Sequence, residues 1–171
     1  MKTNYKTLYE KNAAFFNAVP LRKRLLLYVD YILTFGFLFA YVALLSHAVQ
    51  SKMPTTEFVA ILFAPMCALV LATVLQLAIE RYRPYSPQGA AIEPVYKKSG
   101  SDSRSFPSRH LTCAFTIATA CLPHIPVLAA SLYLFGILLG YVRFSIGWHY
   151  PSDLFGGAAI GTGIGCLIFF I

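Results

Sequence analysis

Charge is what this 171-residue sequence has least of. Only 12% of its residues are Asp, Glu, Lys or Arg, against about 25% in ordinary soluble domains. That shortage excludes a water-solvated surface over most of the chain and makes lipid the expected solvent. Acidic residues are the scarcer kind, 7 against 14 Lys and Arg. In a soluble chain such an excess would raise nucleic acid, but no zinc-finger or RNA-binding motif is present and nucleic acid is not an expected partner. The excess reads instead as phosphate ligands, contacts to anionic headgroups and interfacial anchoring. Cys-x2-Cys pairs are absent too. Cys67, Cys113, Cys121 and Cys166 each lie inside an apolar run, so neither a zinc site nor a disulfide framework is indicated and all four read as small buried apolar residues. No long polar linker, low-complexity tract or fixed-period repeat interrupts the chain, and residues 1–171 suit one domain. The opening residues do not form a signal peptide: 1–20 are polar and amphipathic, and the apolar run after Arg22-Lys23-Arg24 is too long.

What is present is a series of apolar runs. A membrane-crossing helix needs about 20 mostly apolar residues. Residues 25–46 meet that with Asp30 as their one charge, and 58–79 meet it with Pro65 as a possible kink. The third run, 111–122, is short; extended back to Ser108 it reaches about 22 Å at 1.5 Å per residue, so it needs a thin or recessed place. Residues 127–141, entered through Pro126, and 154–171 complete the set. The expected fold is all-α: a polytopic membrane bundle of about five transmembrane helices over 25–171. Residues 1–24 precede it as an amphipathic segment, with Leu8, Ala14, Phe15, Phe16 and Val19 among lysines. That segment reads as a helix lying on the membrane surface, with a flexible tail as the alternative.

Small residues recur at helical spacing. Gly157, Gly161 and Gly165 share one face of the last run, and Gly136 and Gly140 one face of the fourth. Such faces let backbones approach closely, and packing within the chain is the reading favoured over dimerisation. Five crossings place the loops 81–107 and 143–153 on one side and the turn at Pro123-His124-Ile125-Pro126 on the other. His47 and His124 therefore fall away from the other polar groups and are not expected in catalysis.

Those other polar groups sit where apolar runs begin or end: Arg81, Arg83, Ser108, Arg109, His110, Arg143, His149 and Asp153. Ionisable residues at membrane depth are costly and usually functional. Several arginines converging on one face call for a polyanion, and guanidinium forks match phosphate oxygens. The two histidines add acid–base or nucleophilic capacity near neutral pH. Pro107-Ser108-Arg109-His110 opens the third run, where unpaired backbone N–H groups make an anion site; Ser108 taken alone is a plain N-cap. Asp153 follows His149 by four residues, within reach of its ring, so it can accept the Nδ1 proton and aim Nε2 outward. Taken alone, that pair is as often structural. Trp148 and Tyr82, Tyr85, Tyr141 and Tyr150 suit interfacial belts, with Trp148 also a candidate lining for a headgroup pocket. Lys97 and Lys98 either meet headgroups or sit in a solvated loop.

These residues resemble the type 2 phosphatidic acid phosphatase family, the lipid-phosphatase branch of the superfamily that includes vanadium haloperoxidases. Its motifs are Lys-x6-Arg-Pro, Pro-Ser-Gly-His and Ser-Arg-x5-His-x3-Asp. Arg83-Pro84 ends the first here, Pro107-Ser108-Arg109-His110 is the second, and Val142-Arg143, five residues, His149, three residues and Asp153 make the third. The order holds from about residue 58 to the end. Three positions depart: Gln76 stands for the lysine, Arg109 for the glycine and Val142 for the serine. Gln76 removes a cation from the phosphate contacts, a loss that Arg81 could compensate, and the Arg109 side chain can touch substrate. The resemblance implies that Arg83, Arg143, Ser108 and local backbone N–H groups, with Arg109, hold the phosphoryl oxygens. It implies that His149, oriented by Asp153, attacks phosphorus and that His110 protonates the leaving oxygen. No metal and no cofactor is implied. The implied partners are a lipid phosphate or diphosphate and the bilayer, and the compact layout resembles the bacterial undecaprenyl-diphosphate phosphatase branch. That resemblance points to a bacterial cell membrane and an extracytoplasmic site, whereas the clustering of Lys and Arg beside the catalytic loops points to the cytoplasm. Phosphatidylglycerol phosphate and phosphatidic acid are the alternative substrates, and a non-catalytic lipid-phosphate binder is the alternative function.

Overall fold

The structure is a computed structural model that describes residues 2–97 and 100–170, with side chains described from residue 5 onward. The expectations placed on Lys98 and on the last residue, Ile171, lie outside the described residues. Among the described residues the regular structure is entirely helical: α1 (Lys2–Asn17), α2 (Pro20–Gln50), α3 (Thr55–Ile79), α4 (Arg109–Cys121), α5 (Pro126–Ile146) and α6 (Pro151–Leu167), closed by a 3-10 turn at Ile168–Phe170. Proline stands in the first turn of α2, α5 and α6, where its missing N–H costs nothing and its fixed φ favours the helix. Gly147 ends α5 at φ 93°, a left-handed conformation that suits glycine. Pro65 sits inside α3. The Tyr41 hydroxyl donates to the nearby Leu62 carbonyl at 2.7 Å, which satisfies backbone in the stretch the proline disturbs.

Four of these elements, Pro20–Gln50, Thr55–Ile79, Pro126–Ile146 and Pro151–Phe170, are long and apolar enough to cross a membrane. Their outward faces carry Ile32, Phe39, Leu134 and Phe155 exposed, as expected where lipid is the neighbour. The same inversion explains Cys67, expected to be buried but exposed on α3: beside lipid an outward position is an apolar one. All four cysteines are free thiols.

The remaining expected run, the third, is α4, and at 13 residues it rises only about 20 Å. It packs against α2, α3, α5 and α6, and Leu111, Thr112, Ala114 and Thr116–Cys121 are buried. Shielded from lipid, it tolerates three threonines. Thr112, Thr116 and Thr119 donate to the carbonyls four residues back at 3.0, 2.9 and 2.7 Å. The glycine faces meet this helix. A Cβ on Gly161 would stand 2.2 Å from the Thr112 carbonyl oxygen and one on Gly136 would stand 2.7 Å from the Phe115 ring, so these faces serve contacts within the chain.

α1 is more than a surface helix. Tyr9 and Ala13 are buried, and the helix docks on α2 and α5. The Tyr9 hydroxyl lies 3.2 Å from the Glu93 carbonyl and 3.3 Å from that of Ile146, and accepts from the Val95 N–H at 3.1 Å. Asn12 donates to Ser145 at 2.8 Å. α1 therefore binds the long loop to the end of α5, on the side where both polar loops lie.

Candidate active site

α3 ends at Ile79, with Glu80 turning the chain at φ 46°. The loop that follows doubles back on itself: the Arg83 N–H donates to the Asp102 carbonyl at 2.7 Å and the Ser105 N–H to that of Arg81 at 2.9 Å. This delivers Arg83 to the interior, 4% exposed. Its guanidinium donates to the carbonyls of Trp148 at 3.0 Å and Arg104 at 2.9 Å, with Ser101 at 3.4 Å. Nη1 also lies 3.4 Å from His149 Nε2. Burial lowers the Arg83 pKa from its ordinary value, with Tyr85 and Asp153 pulling it back up.

His149, 1% exposed, sits in the turn between α5 and α6. Its Nδ1 lies 2.9 Å from the Ser105 carbonyl oxygen and 3.6 Å from Asp153 Oδ2. The expected carboxylate is thus the second-nearest partner and a main-chain carbonyl the first. The carbonyl can only accept, so Nδ1 carries the proton there and Nε2 keeps its lone pair. Asp153 is fully buried and takes donors from several elements: Arg81 Nη1 at 2.7 Å, Ser105 Oγ at 2.5 Å and the Tyr150 N–H at 2.9 Å. The last contact is the backward reach of an N3 carboxylate to its N-cap. Asp153 thus holds together both loops and the start of α6, with the His149 ring beside it.

Arg81, a candidate substrate contact, is committed to Asp153 and to Ser152 Oγ at 2.8 Å, with its guanidinium over the Tyr150 ring at 4.5 Å. Burial raises the Tyr150 pKa and Arg81 works against that rise. Gln76, where the family pattern has lysine, is 2% exposed and donates to the Pro107 carbonyl at 2.8 Å, tying α3 to the start of α4. Ser108 is fully buried; its N–H donates to the Asp153 carbonyl at 3.0 Å. The Ser108 hydroxyl and Gln76 Oε1 are buried without a hydrogen-bond partner among the described residues.

Arg143 points from the last turn of α5 into the interior, 2% exposed. It faces Asp30 on α2, with Nε 2.9 Å from Oδ1 and Nη2 3.1 Å from Oδ2. Trp148 donates from its indole to the Tyr96 carbonyl at 2.8 Å and lays its ring 5.6 Å from the Arg143 guanidinium carbon. Arg109 and His110, half-buried, stand at the head of an apolar cavity of about 410 Å³ lined by Thr34, Leu38, Met66 and Ile117 among others. From Arg109 to Ile117 it follows α4 for about 12 Å.

The structure therefore brings Arg83, His149, Asp153 and Arg81 together directly. Ser108 joins them through the Asp153 backbone, and Arg109 acts on Arg83 electrostatically. Arg143 and Trp148 adjoin on the α2 side. Two participants were missed by sequence reasoning. Ser105, in a polar serine-rich stretch, gave no signal. Asp30 did: it is the one carboxylate of an otherwise apolar run.

The sequence model described as the PAP2 superfamily matches residues 57–171. Over 65 residues the chain is 40% identical to the undecaprenyl-diphosphatase BcrC of Bacillus subtilis, covering 38% of this chain and 34% of that protein. Over 101 residues it is 34% identical to a lipid A 4'-phosphatase of Bacteroides thetaiotaomicron, covering 57% of this chain and 45% of that one. The chain thus spans between a third and a half of the lengths of these curated relatives. Its fold superposes on the crystal structure of Aquifex aeolicus LpxE with a TM-score of 0.68 at 28% identity, covering 95% of this chain and 94% of that one. A PAP2-type phosphatidylglycerolphosphate phosphatase of Bacillus subtilis shares the fold, with a TM-score of 0.67 at 21% identity over 96% of this chain and 85% of that one.

Proposed function

The chain belongs to the PAP2 superfamily, and from that premise we propose that it is an integral-membrane lipid phosphatase acting on a lipid diphosphate through a phosphohistidine. The observation that carries the reading is the setting of His149. With Nδ1 held by the Ser105 carbonyl, Nε2 is the nucleophilic nitrogen, and the Arg83 guanidinium stands 3.4 Å from it.

His149 Nε2 attacks phosphorus, an N–P bond forms and the bond to the leaving oxygen breaks. His110 gives that oxygen its proton. Water then attacks the phosphohistidine, His110 takes the water's proton, and inorganic phosphate leaves with Nε2 restored. Two displacements through a covalent intermediate replace one harder step. The protein's part is positioning and charge at the equatorial oxygens. Arg83, Arg143 and Ser108 supply it, with Arg109, beside His110, meeting the charge of a leaving phosphate. The buried Ser108 hydroxyl and Arg143 Nη1 have no partner among the described residues, and donors of that kind suit an oxyanion. Fixed guanidinium groups can take the role that a divalent cation has elsewhere.

The apolar cavity begins at Arg109 and His110, the side on which the proposed acid releases the leaving group. A leaving group with a long hydrocarbon chain fits there, and a small soluble ester would leave the cavity unused. Undecaprenyl diphosphate is the favoured substrate, supported by the likeness to BcrC. Phosphatidylglycerol phosphate, phosphatidic acid and the phosphate of lipid A are the competing ones. We place the enzyme in a bacterial cell membrane with its site on the extracytoplasmic face. The basic residues that would argue for the cytoplasm are partly committed to packing: Arg22 covers the Phe15 ring at 4.2 Å and Lys23 the Tyr96 ring at 4.9 Å. Labelling of a Lys97→Cys variant by an impermeant reagent in intact cells, with the native cysteines removed, tests the side.

The deciding experiment is phosphate release by the purified protein from a panel of these four lipids. Fastest turnover of undecaprenyl diphosphate is expected. Release from none of them would end the phosphatase reading.

A further inference from the structure

The two buried arginines beside the reaction centre are held in different ways. Arg83 lies in a loop and is surrounded by main-chain carbonyls of that loop and of the next. Arg143 projects from the last turn of α5, whose carbonyls are mostly used within the helix. Its holder comes from another helix. Asp30 of α2, 3% exposed, meets the Nε–Nη2 edge with both carboxylate oxygens, at 2.9 and 3.1 Å. Thr34, one turn further along α2, accepts from the same Nη2 at 3.2 Å. The Nε contact is close but out of line, and Nη1 makes no hydrogen bond among the described residues. One edge of the guanidinium is thus turned to α2, Trp148 lies 5.6 Å from its carbon, and the Nη1 corner is the one left for a ligand.

A carboxylate in a membrane-spanning helix is costly. A buried ion pair is also weak evidence of stabilisation, since apolar residues of the same volume often serve as well. What an apolar pair could not do is orient a guanidinium. We propose that Asp30 is a positioning residue for phosphoryl transfer: it fixes Arg143 by its Nε–Nη2 edge so that Nη1 meets a phosphoryl oxygen. Asp30 touches no substrate and acts only through Arg143. The proposal rests on the phosphatase reading above, and it makes α2 part of the catalytic apparatus although α2 carries none of the motif residues.

The test is a double-mutant cycle on the purified protein. It uses undecaprenyl diphosphate hydrolysis and inhibition by orthovanadate, with thermal unfolding measured alongside. Asp30→Asn is expected to lower kcat/KM by about 10- to 100-fold, mostly through kcat, the scale on which small misplacements of a catalytic group act. The vanadate inhibition constant should rise with it. In an Arg143→Gln background the same Asp30→Asn change should alter kcat/KM by less than about 3-fold, because additivity fails for residues that act as one unit. Equal losses in both backgrounds, or wild-type kcat/KM in Asp30→Asn, would overturn the proposal and leave Asp30 a packing residue. If Asp30→Asn does not fold, Asp30→Glu decides, since it keeps the charge and moves the carboxylate by one methylene. A lower kcat at unchanged unfolding temperature supports positioning, and unchanged kcat refutes it. A wild-type protein inactive on every lipid phosphate would instead sink the reading beneath.

Discussion

Arg83 Nη1 and His149 Nε2 lie 3.4 Å apart, so the nitrogen assigned to attack phosphorus and a cation suited to binding its oxygens share one point. Replacing His149 by alanine should abolish turnover while the helical content is kept. Arg83→Lys retains the charge but loses the fork that spans Trp148, Arg104 and His149. Its kcat should fall by about 10²-fold, the scale seen on removing one oxyanion donor. Steady-state phosphate release by the two variants checks both. Wild-type turnover in His149→Ala would remove that residue from the nucleophile's role.

Charge stabilisation by guanidinium groups predicts indifference to chelators. Activity should persist in EDTA and be blocked by orthovanadate, whose trigonal bipyramidal adducts imitate phosphoryl transfer. Loss of activity in chelator with recovery on adding a divalent ion would refute the metal-free scheme.

Arg109 stands where the family pattern has glycine, beside His110 at the head of the apolar cavity. With a diphosphate substrate the leaving group is itself a phosphate, and a guanidinium there meets its charge. Arg109→Gly should therefore reduce kcat/KM for a lipid diphosphate by about 10-fold, roughly one charge-assisted hydrogen bond, and leave a lipid monophosphate little changed. Equal losses on the two substrates would show that Arg109 does not discriminate between them.

The contact between α4 and α6 admits no side chain at position 161. A methyl there would meet the Thr112 carbonyl at 2.2 Å, whereas none of the described residues lies within 4 Å of one at position 163. Gly161→Ala should destabilise by about 1–3 kcal/mol, as overpacking does, and displace Ser108 with the start of α4. Gly163→Ala should be neutral or stabilising by up to about 1 kcal/mol. Unfolding temperatures in one detergent, with activity measured in parallel, compare the pair.

Much of this was legible in the residues because the physics was local. Long apolar runs fixed the spanning helices, and glycines four apart marked a face where backbones touch. The motif residues stood out because they carry charge where lipid penalises it. Boundaries were less legible. The fourth run was expected to stop at residue 141. The helix continues to Ile146 because Asp30 receives the charge of Arg143 inside. What sequence could not give were pairings between distant segments. Nothing in the spacing of His149 and Asp153 says that a carbonyl at Ser105 lies closer to the ring than the carboxylate does. Nor does the amphipathic pattern of α1 distinguish a helix resting on lipid from one docked through Tyr9.

The Tyr9 hydroxyl reaches the Ile146 carbonyl across 137 positions of the chain. During synthesis this clasp has to wait until residue 146 has emerged, and until then the hairpin-like segment carrying Arg83 lacks its anchor to the end of α5. Ribosome-bound chains halted before residue 146 should expose that segment to protease, and chains released just beyond it should begin to protect it. Competence for chemistry would then arrive abruptly, as α1 closes on the end of α5.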